Sequence, residues 1–278
     1  MTPKTLAYLG PRGTFSEEAA ILYDPDAERV PYPSIRDVAM AAESGETNEA
    51  VVPIENSIEG SVNMTLDYLI HDSTLSIVSE VVLFIRQCLI VAEGMRPEDI
   101  KTVRSHPQAL AQCRRYLERT FPDAELVASL STAEAIEKAL KQNGTTAAIA
   151  SRRAAELFGA TILEEGIADT PNDTTRFVAL GDRSPKPSGN DKTSICFGFD
   201  EDAPGLLYEV LGEFANRSIN LAKIESRPTR HELGRYVFLI DMMGHRQEAV
   251  VKETLQAVEG QASTLKIFGS YPRYTAAS

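Results

Sequence analysis

The sequence predicts an α/β protein in two parts, and three observations carry that reading. Short apolar runs alternate with helical patterns as far as Leu180. A polar stretch rich in proline and glycine, Gly181-Asp-Arg-Ser-Pro-Lys-Pro-Ser-Gly-Asn-Asp-Lys192, then interrupts the pattern. Beyond it the chain reads strand, helix, strand, strand, helix, strand. A boundary near residue 188 divides the 278 residues into 1–187 and 188–278, each long enough to bury a core of its own.

Taken in order, Thr5 to Leu9 is a short apolar run and reads as a strand. A helix follows over about 15–23, opened by a capping box in which the Thr14 hydroxyl and the Glu17 carboxylate satisfy backbone N–H groups at the helix start. Ala50 to Ile54 gives a second strand and residues 62–70 a second helix. Leu75 to Val91 reads as one long strand-like stretch. Ser105/Gln108 and Ser131/Glu134 are two further capping boxes, opening helices over 106–119 and 132–142, and Thr146 to Ala150 is a strand. After Ile162-Leu163 the run from Arg176 to Leu180 comes late enough to rejoin the first half, an order that suits two α/β lobes with a cleft between them.

In the second part the strands span Thr193 to Phe199, 219–227, 235–243 and 262–270, with helices over 204–217 and 246–258. The order is βαββαβ, the ferredoxin-like arrangement. Leu207, Val210, Leu211 and Phe214 form the i, i+3, i+4, i+7 stripe of a helix packed on a sheet. No cluster of catalytic-looking residues occurs there, so this part reads as a binding or assembly module.

Composition narrows the partners. The formal charge is −12, and 43% hydrophobic with 24% charged residues is ordinary globular usage. An acidic chain offers no general attraction to nucleic acid or anionic membrane, so neither is expected as a partner. No run approaches the length of a membrane span and the N-terminus lacks a signal-peptide core, which predicts a cytoplasmic protein. Cys88, Cys113 and Cys196 are odd in number and lie in apolar or helical patterns, as buried thiols do. His71, His106, His231 and His245 form no ligand pair. Neither a metal nor a cofactor is expected.

Four polar clusters fall in loops or at element ends, where function concentrates. In Gly10-Pro-Arg-Gly-Thr-Phe-Ser16 the glycines let a backbone approach a ligand and a helix N-terminus offers N–H groups to an anion, although no phosphate-loop Gly-Lys-Ser/Thr follows. In Pro53-Ile-Glu-Asn-Ser-Ile-Glu-Gly60, at a strand's carboxyl end, Asn56 and Ser57 can donate to a carboxylate and Glu55 can accept or exchange a proton. Ser105-His-Pro-Gln-Ala-Leu-Ala-Gln112 gathers His106, Gln108 and Gln112 at one helix start. In Asp169-Thr-Pro-Asn-Asp-Thr-Thr-Arg-Phe177, Arg176 is a bidentate carboxylate clamp and Thr174 and Thr175 supply hydroxyls. Strand alternation puts Thr175 and Phe177 on one face and Arg176 on the other. Each cluster also has a local explanation as a cap or turn. Together they suggest a cleft that grips a carboxylated small molecule.

These four motifs, in this order, resemble the catalytic-domain motifs of prephenate dehydratase, and the tail resembles the family's ACT regulatory domain, with Glu225-Ser-Arg-Pro228 matching a motif associated with phenylalanine binding. The resemblance runs from about residue 5 to 272. It implies a two-lobed periplasmic-binding-protein-like catalytic domain followed by a ferredoxin-like ACT domain, and a lyase that turns prephenate into phenylpyruvate with loss of water and CO2. It implies Thr175 as the donor to the leaving hydroxyl, with Arg176 on a carboxylate and Phe177 against the ring. Thr14, Glu55, Asn56, Ser57, Ser105, His106 and Gln112 are the expected substrate contacts. L-phenylalanine is the expected effector, held by Gly205, Leu206, Leu207, Tyr208, Asn220, Leu221, Glu225, Ser226, Arg227 and Pro228 between two ACT domains of a homodimer or homotetramer. Gly205-Leu-Leu-Tyr208 departs from the Gly-Ala-Leu-Val of some members, which bears on effector strength and identity. A fused chorismate mutase is not expected. Arogenate dehydratase and a non-catalytic binding or sensor protein are the rival readings.

Overall fold

A computed structural model describes residues 3–141, 144–201, 203–229 and 235–275. His231 lies outside the described residues. In chain order the elements are β1 (Thr5–Leu9), α1 (Phe15–Tyr23), β2 (Glu28–Tyr32), α2 (Ile35–Glu43), β3 (Glu49–Asn56), β4 (Gly60–Ser61), α3 (Asn63–His71) and β5 (Ser76–Phe84). Next come β6 (Cys88–Val91), β7 (Thr102–Ser105), α4 (Pro107–Gln112), α5 (Arg114–Thr120), β8 (Glu125–Ala128), α6 (Thr132–Lys141), β9 (Thr146–Ala150), α7 (Arg152–Phe158), β10 (Thr161–Glu165) and β11 (Thr174–Gly181). The C-terminal set is β12 (Asp191–Gly198), α8 (Leu206–Asn216), β13 (Leu221–Pro228), β14 (Tyr236–Met243), α9 (Ala249–Gln261) and β15 (Thr264–Pro272).

The strands form three sheets, ordered β2-β1-β3-β11-β5 with β4 on β3, β10-β6-β9-β7-β8, and β13-β14-β12-β15. The first two are the sheets of the two expected lobes, and the late strand β11 does rejoin the first half, beside β3. By contacts the chain falls into two compact units, Met1–Asn63 with Val81–Phe177, and Met64–Glu80 with Val178–Ser278.

Within the first unit, parallel pairing of β1 with β2 and β3 buries Leu6, Ala7 and Tyr8 completely. The second sheet is sandwiched between a cluster around Leu89, Val103, Leu117 and Ile149 and another around Ile90, Ile136 and Ala154. Two expectations need correction here. The stretch from Leu75 to Val91 is β5 and β6, which belong to different sheets, with the chain turning through Ile85 to Gln87. The helix expected over 106–119 breaks at Cys113 into α4 and α5, because the Asp169 carboxylate accepts from Arg115 N (2.8 Å) and Tyr116 N (2.9 Å) and so starts a new helix. A cap 54 residues along the chain leaves no local signature.

In the second unit β12 is buried along its whole length, as a central strand should be, whereas β13 alternates as an edge strand with one covered face. All pairings are antiparallel, and α8 and α9 cover the sheet through Val210, Phe214, Val251, Leu255 and Val258. The element order is the βαββαβ of the sequence reading. The same unit contains most of α3 and the first half of β5, fastened by three cations. Arg227 Nη2 meets Asp67 Oδ1 at 2.7 Å, Lys266 Nζ donates to the carbonyls of Ile70 (3.3 Å) and Ser73 (2.9 Å), and Lys192 Nζ pairs with Glu80 at 2.8 Å. Gly269 has no room for a side chain: a Cβ there would stand 2.2 Å from the Ile77 carbonyl oxygen.

Cys88, Cys113 and Cys196 are free and buried, and burial pushes their thiols up to about 11, 12 and 11. They are the inert thiols that the sequence predicts. Among the described residues no helix is long and apolar enough to cross a membrane.

Candidate active site

The largest described cavity, of about 500 Å³, lies in the first unit. Four backbone segments end on it: the turn from β1 to α1, the end of β3 with the Gly60–Val62 turn, the start of α4, and the start of β11. The four motifs singled out in the sequence therefore converge. Leu130-Ser131-Thr132 at the start of α6, which the sequence presents only as a helix cap, and Ile85 and Gln87 of the β5–β6 connection also line it.

The loop from Gly10 to Ser16 owes its shape to local bonds. The Glu17 carboxylate, almost fully buried, accepts from Gly13 N at 2.6 Å, and Thr14 Oγ1 accepts from Glu17 N at 3.4 Å. The reciprocal half of this capping box thus falls one residue earlier than expected, and the Gly13 N–H is not available to an anion. Gly10 N is likewise engaged, with the Tyr32 carbonyl at 2.9 Å. Gly13 has φ +83°, and a Cβ there would stand 3.2 Å from Ala154 of α7. Ser151, the N-cap of α7, donates to the Gly13 carbonyl at 3.2 Å, so the loop is pressed onto that helix. Gly13→Ala is expected to cost about 1–3 kcal/mol, read as a lowered denaturant midpoint; an unchanged midpoint would show that the loop can move away.

At the centre is Asp173, which is 2% exposed. Its Oδ1 accepts from Asn56 Nδ2 at 2.7 Å and Ser57 Oγ at 3.3 Å, and its Oδ2 accepts from Gln112 Nε2 at 3.3 Å. Asn56 Oδ1 accepts from Ile58 N and Glu59 N, both at 2.9 Å, which fixes the amide so that Nδ2 faces Asp173 and, at 2.9 Å, Thr175 Oγ1. The turn expected from local chemistry and the polar site expected from function are thus one arrangement. Thr175 Oγ1 accepts this bond, which leaves its single hydrogen to be donated elsewhere. Thr175 and Phe177 both line the cavity, as strand alternation predicts.

His106 also lines it. The residue is the N-cap of α4, and its Nδ1 accepts from Gln108 N at 3.3 Å, so in the neutral ring the proton sits on Nε2. Gln112 and Thr14 line the cavity as well.

Four expected contacts do not. Arg176 points to the other face of β11, where Nη1 lies 3.5 Å from Glu55 Oε2, so neither residue reaches the cavity. Ser57 lies outside it, bonding Asp173 and accepting from Thr174 N at 2.9 Å. Ser105 is neither a cap nor a cavity residue: its side chain is fully buried and donates to the Ile149 carbonyl at 2.6 Å, joining β7 to β9. The helix cap passes to His106 instead. Among the described residues no Lys or Arg lines the cavity, whose acidic groups are Glu59 and Asp173. Asp173, Glu59, Gln87 and Leu130 are cavity residues that the sequence reading left out. Asp173 lies within the Asp169–Phe177 motif, where an acid directly before two threonines is its local signal.

In the second unit Gly205, Leu206, Leu207 and Tyr208 line a cavity of about 190 Å³ with Phe199, Arg235, Tyr236 and Phe238. Asn220, Leu221, Glu225, Ser226, Arg227 and Pro228 do not line it. Arg227 holds Asp67 and Glu225, and Glu225 also meets Lys223 at 3.3 Å.

Residues 6–185 match the sequence profile of prephenate dehydratase and residues 201–260 that of the ACT domain. Over 98% of its length the chain is 42% identical to the bifunctional chorismate mutase/prephenate dehydratase of Pseudomonas aeruginosa, covering 74% of that protein. It is 40% identical to the prephenate dehydratase of Methanocaldococcus jannaschii, with 97% of this chain and 98% of the relative covered. The solved prephenate dehydratase of Arthrobacter aurescens, in complex with L-Phe, superposes with a TM-score of 0.89 at 36% identity, covering 97% of this chain and 90% of that one. With the four motifs meeting at one cavity and these matches along its length, the chain belongs to the prephenate dehydratase family and carries an ACT domain near its C-terminus.

Proposed function

We propose that this protein converts prephenate to phenylpyruvate, releasing water and CO2, under feedback control by L-phenylalanine. The observation that carries the reading is the oriented hydroxyl of Thr175, set in the cavity of a chain that belongs to this family. Prephenate carries a ring carboxylate opposite a hydroxyl, and a pyruvyl side chain with a second carboxylate. When the bond to the ring carboxylate breaks, its electron pair completes the aromatic ring and the C–O pair leaves with the hydroxyl oxygen. That oxygen takes up one proton, so a dianion and a proton become a monoanion, CO2 and water. The ring gains aromaticity, so the catalyst has chiefly to help a poor leaving group. A donated hydrogen bond from Thr175, with a proton relayed behind it, contributes on the order of 10²–10⁴ in rate.

The absence of Arg and Lys from the described lining suits this chemistry. A cation on the ring carboxylate would stabilise the ground state more than the departing neutral CO2. The His106 Nε2–H and the helix starts at Thr14 and Ser131 grip the side-chain carboxylate instead. Arg176 acts from behind, pairing with Glu55, the residue of β3 that directly precedes Asn56. Phe177 walls the ring.

Residues 1–187 are the catalytic part and 188–278 the regulatory part in this reading, in a cytoplasmic homo-oligomer. The effector residues fall into two groups, one lining the Gly205–Tyr208 cavity and one outside it. A site that needs both is completed by a second copy of the chain, as in a homodimer or homotetramer. One experiment tests the whole: purified protein is incubated separately with prephenate and with arogenate, phenylpyruvate and phenylalanine are followed as products, and both runs are repeated with added phenylalanine. Phenylpyruvate formed from prephenate and suppressed by phenylalanine is the expected result. Turnover of arogenate alone would make the protein an arogenate dehydratase; no turnover of either would leave a binding protein.

A further inference from the structure

We propose that Gln87 touches the substrate and that its amide carbonyl accepts a hydrogen bond from the hydroxyl that is eliminated, an inference that rests on the dehydratase reading of the cavity. Gln87 directly precedes β6, is 3% exposed and lines the cavity. Its backbone carbonyl is held by Gly166 N (2.9 Å) and Ile167 N (3.1 Å), so its position is fixed on the main chain. Its side-chain Nε2 donates to Gln112 Oε1 at 3.0 Å, while its Oε1 is buried without a protein partner.

The orientation of that amide follows from the carboxylate at the end of the chain of bonds. Asp173 accepts from Gln112 Nε2, so Gln112 turns its Oε1 toward Gln87, and Gln87 must answer with its Nε2. Reversing either amide would set acceptor against acceptor. Asp173 therefore fixes both ends of one network. Through Asn56 it makes Thr175 a donor, and through Gln112 it makes Gln87 an acceptor.

A buried acceptor left without a partner is costly, and in a substrate cavity it selects a ligand that brings a donor. Both carboxylates and the keto group of prephenate only accept. The hydroxyl is its single donor, and it is also the group that must accept from Thr175. A hydroxyl held between Thr175 and Gln87 uses both capacities, which orients the C–O bond for departure.

Two stable probes test this: a ring-saturated prephenate analogue that keeps the hydroxyl and cannot aromatise, and its counterpart lacking the hydroxyl. Their affinities are measured by calorimetry on the full-length wild type, on Gln87→Met, which keeps the shape and loses the acceptor, and on Gln87→Glu, which keeps an acceptor. In the wild type the hydroxyl should improve binding about tenfold, and in Gln87→Met by about twofold or less. Gln87→Glu should weaken both probes and retain the ratio. Should Gln87→Met fail to fold, the side-chain carbonyl ¹³C resonance of Gln87 in the wild type, assigned through Gln87→Glu, decides: it shifts with the hydroxylated probe and not with the other. A wild-type ratio kept in Gln87→Met, or a resonance indifferent to the hydroxyl, overturns the proposal. So does a Gln87→Met that loses affinity for arogenate alone, since the acceptor would then read an ammonium group. Equal binding of both probes with intact prephenate turnover defeats this inference only, whereas loss of the dehydratase reading shows as no turnover in the wild type.

Discussion

Thr175→Ala is expected to lower kcat for prephenate by at least about a hundredfold while KM changes by no more than a few-fold. The hydroxyl is one of many polar groups around the substrate, so its removal takes little from ground-state binding. In the proposed mechanism it is the group that strengthens its hydrogen bond as the C–O bond breaks. Thr175→Ser, which keeps the oxygen that Asn56 addresses at 2.9 Å, should recover much of the loss. Thr175→Val keeps the shape and should behave like alanine. The check is steady-state kinetics on all three, and a valine variant with wild-type kcat would sink the assignment.

Lys192→Met is expected to destabilise the protein by about 3–5 kcal/mol, because it takes the Lys192 ammonium away from a buried carboxylate, Glu80. Glu80 and Lys192 have side chains only 4% and 11% exposed and meet at 2.8 Å. Glu80 also accepts from Tyr274 N at 3.0 Å, which offsets part of the loss without neutralising the charge. Removing both charges with Glu80→Leu and Lys192→Met together should cost much less than the single change. Denaturant titration of the two singles and the double closes the cycle. A single-variant cost below about 1 kcal/mol would mean that solvent reaches the pair and screens it.

The C-terminal unit was the more legible half. Its stripe of Leu207, Val210, Leu211 and Phe214 and its alternating strands are local signals, and they give the βαββαβ order directly. In the first unit the elements missing from the sequence reading, β2, α2, β4, β7, β8 and α7, are short, none longer than the nine residues of α2. The cavity was legible as a set of loops and illegible as a set of contacts. Alternation along β11 correctly parted Thr175 from Arg176, yet that same alternation takes the guanidinium away from the site to which the resemblance assigned it. Ser105 shows the limit from the other side. Its spacing to Gln108 satisfies the capping-box pattern, but the carbonyl of Ile149, 44 residues away, is the stronger local partner in the folded chain. Asp173 and Gln87 acquire their roles only through partners far along the chain, which no window of sequence contains.

The division of the chain into compact units has a consequence for how its halves can be exchanged. The backbone passes between the units after Asn63, after Glu80 and after Phe177. A tail attached by one tether can be grafted onto another enzyme by a single splice. Here a hybrid cut near residue 188 would inherit Asp67 and Glu80 from one parent and Arg227, Lys266 and Lys192 from the other. Exchanging the segment from Val178 onward therefore parts Asp67 from Arg227 and Glu80 from Lys192 unless residues 64–80 travel with it.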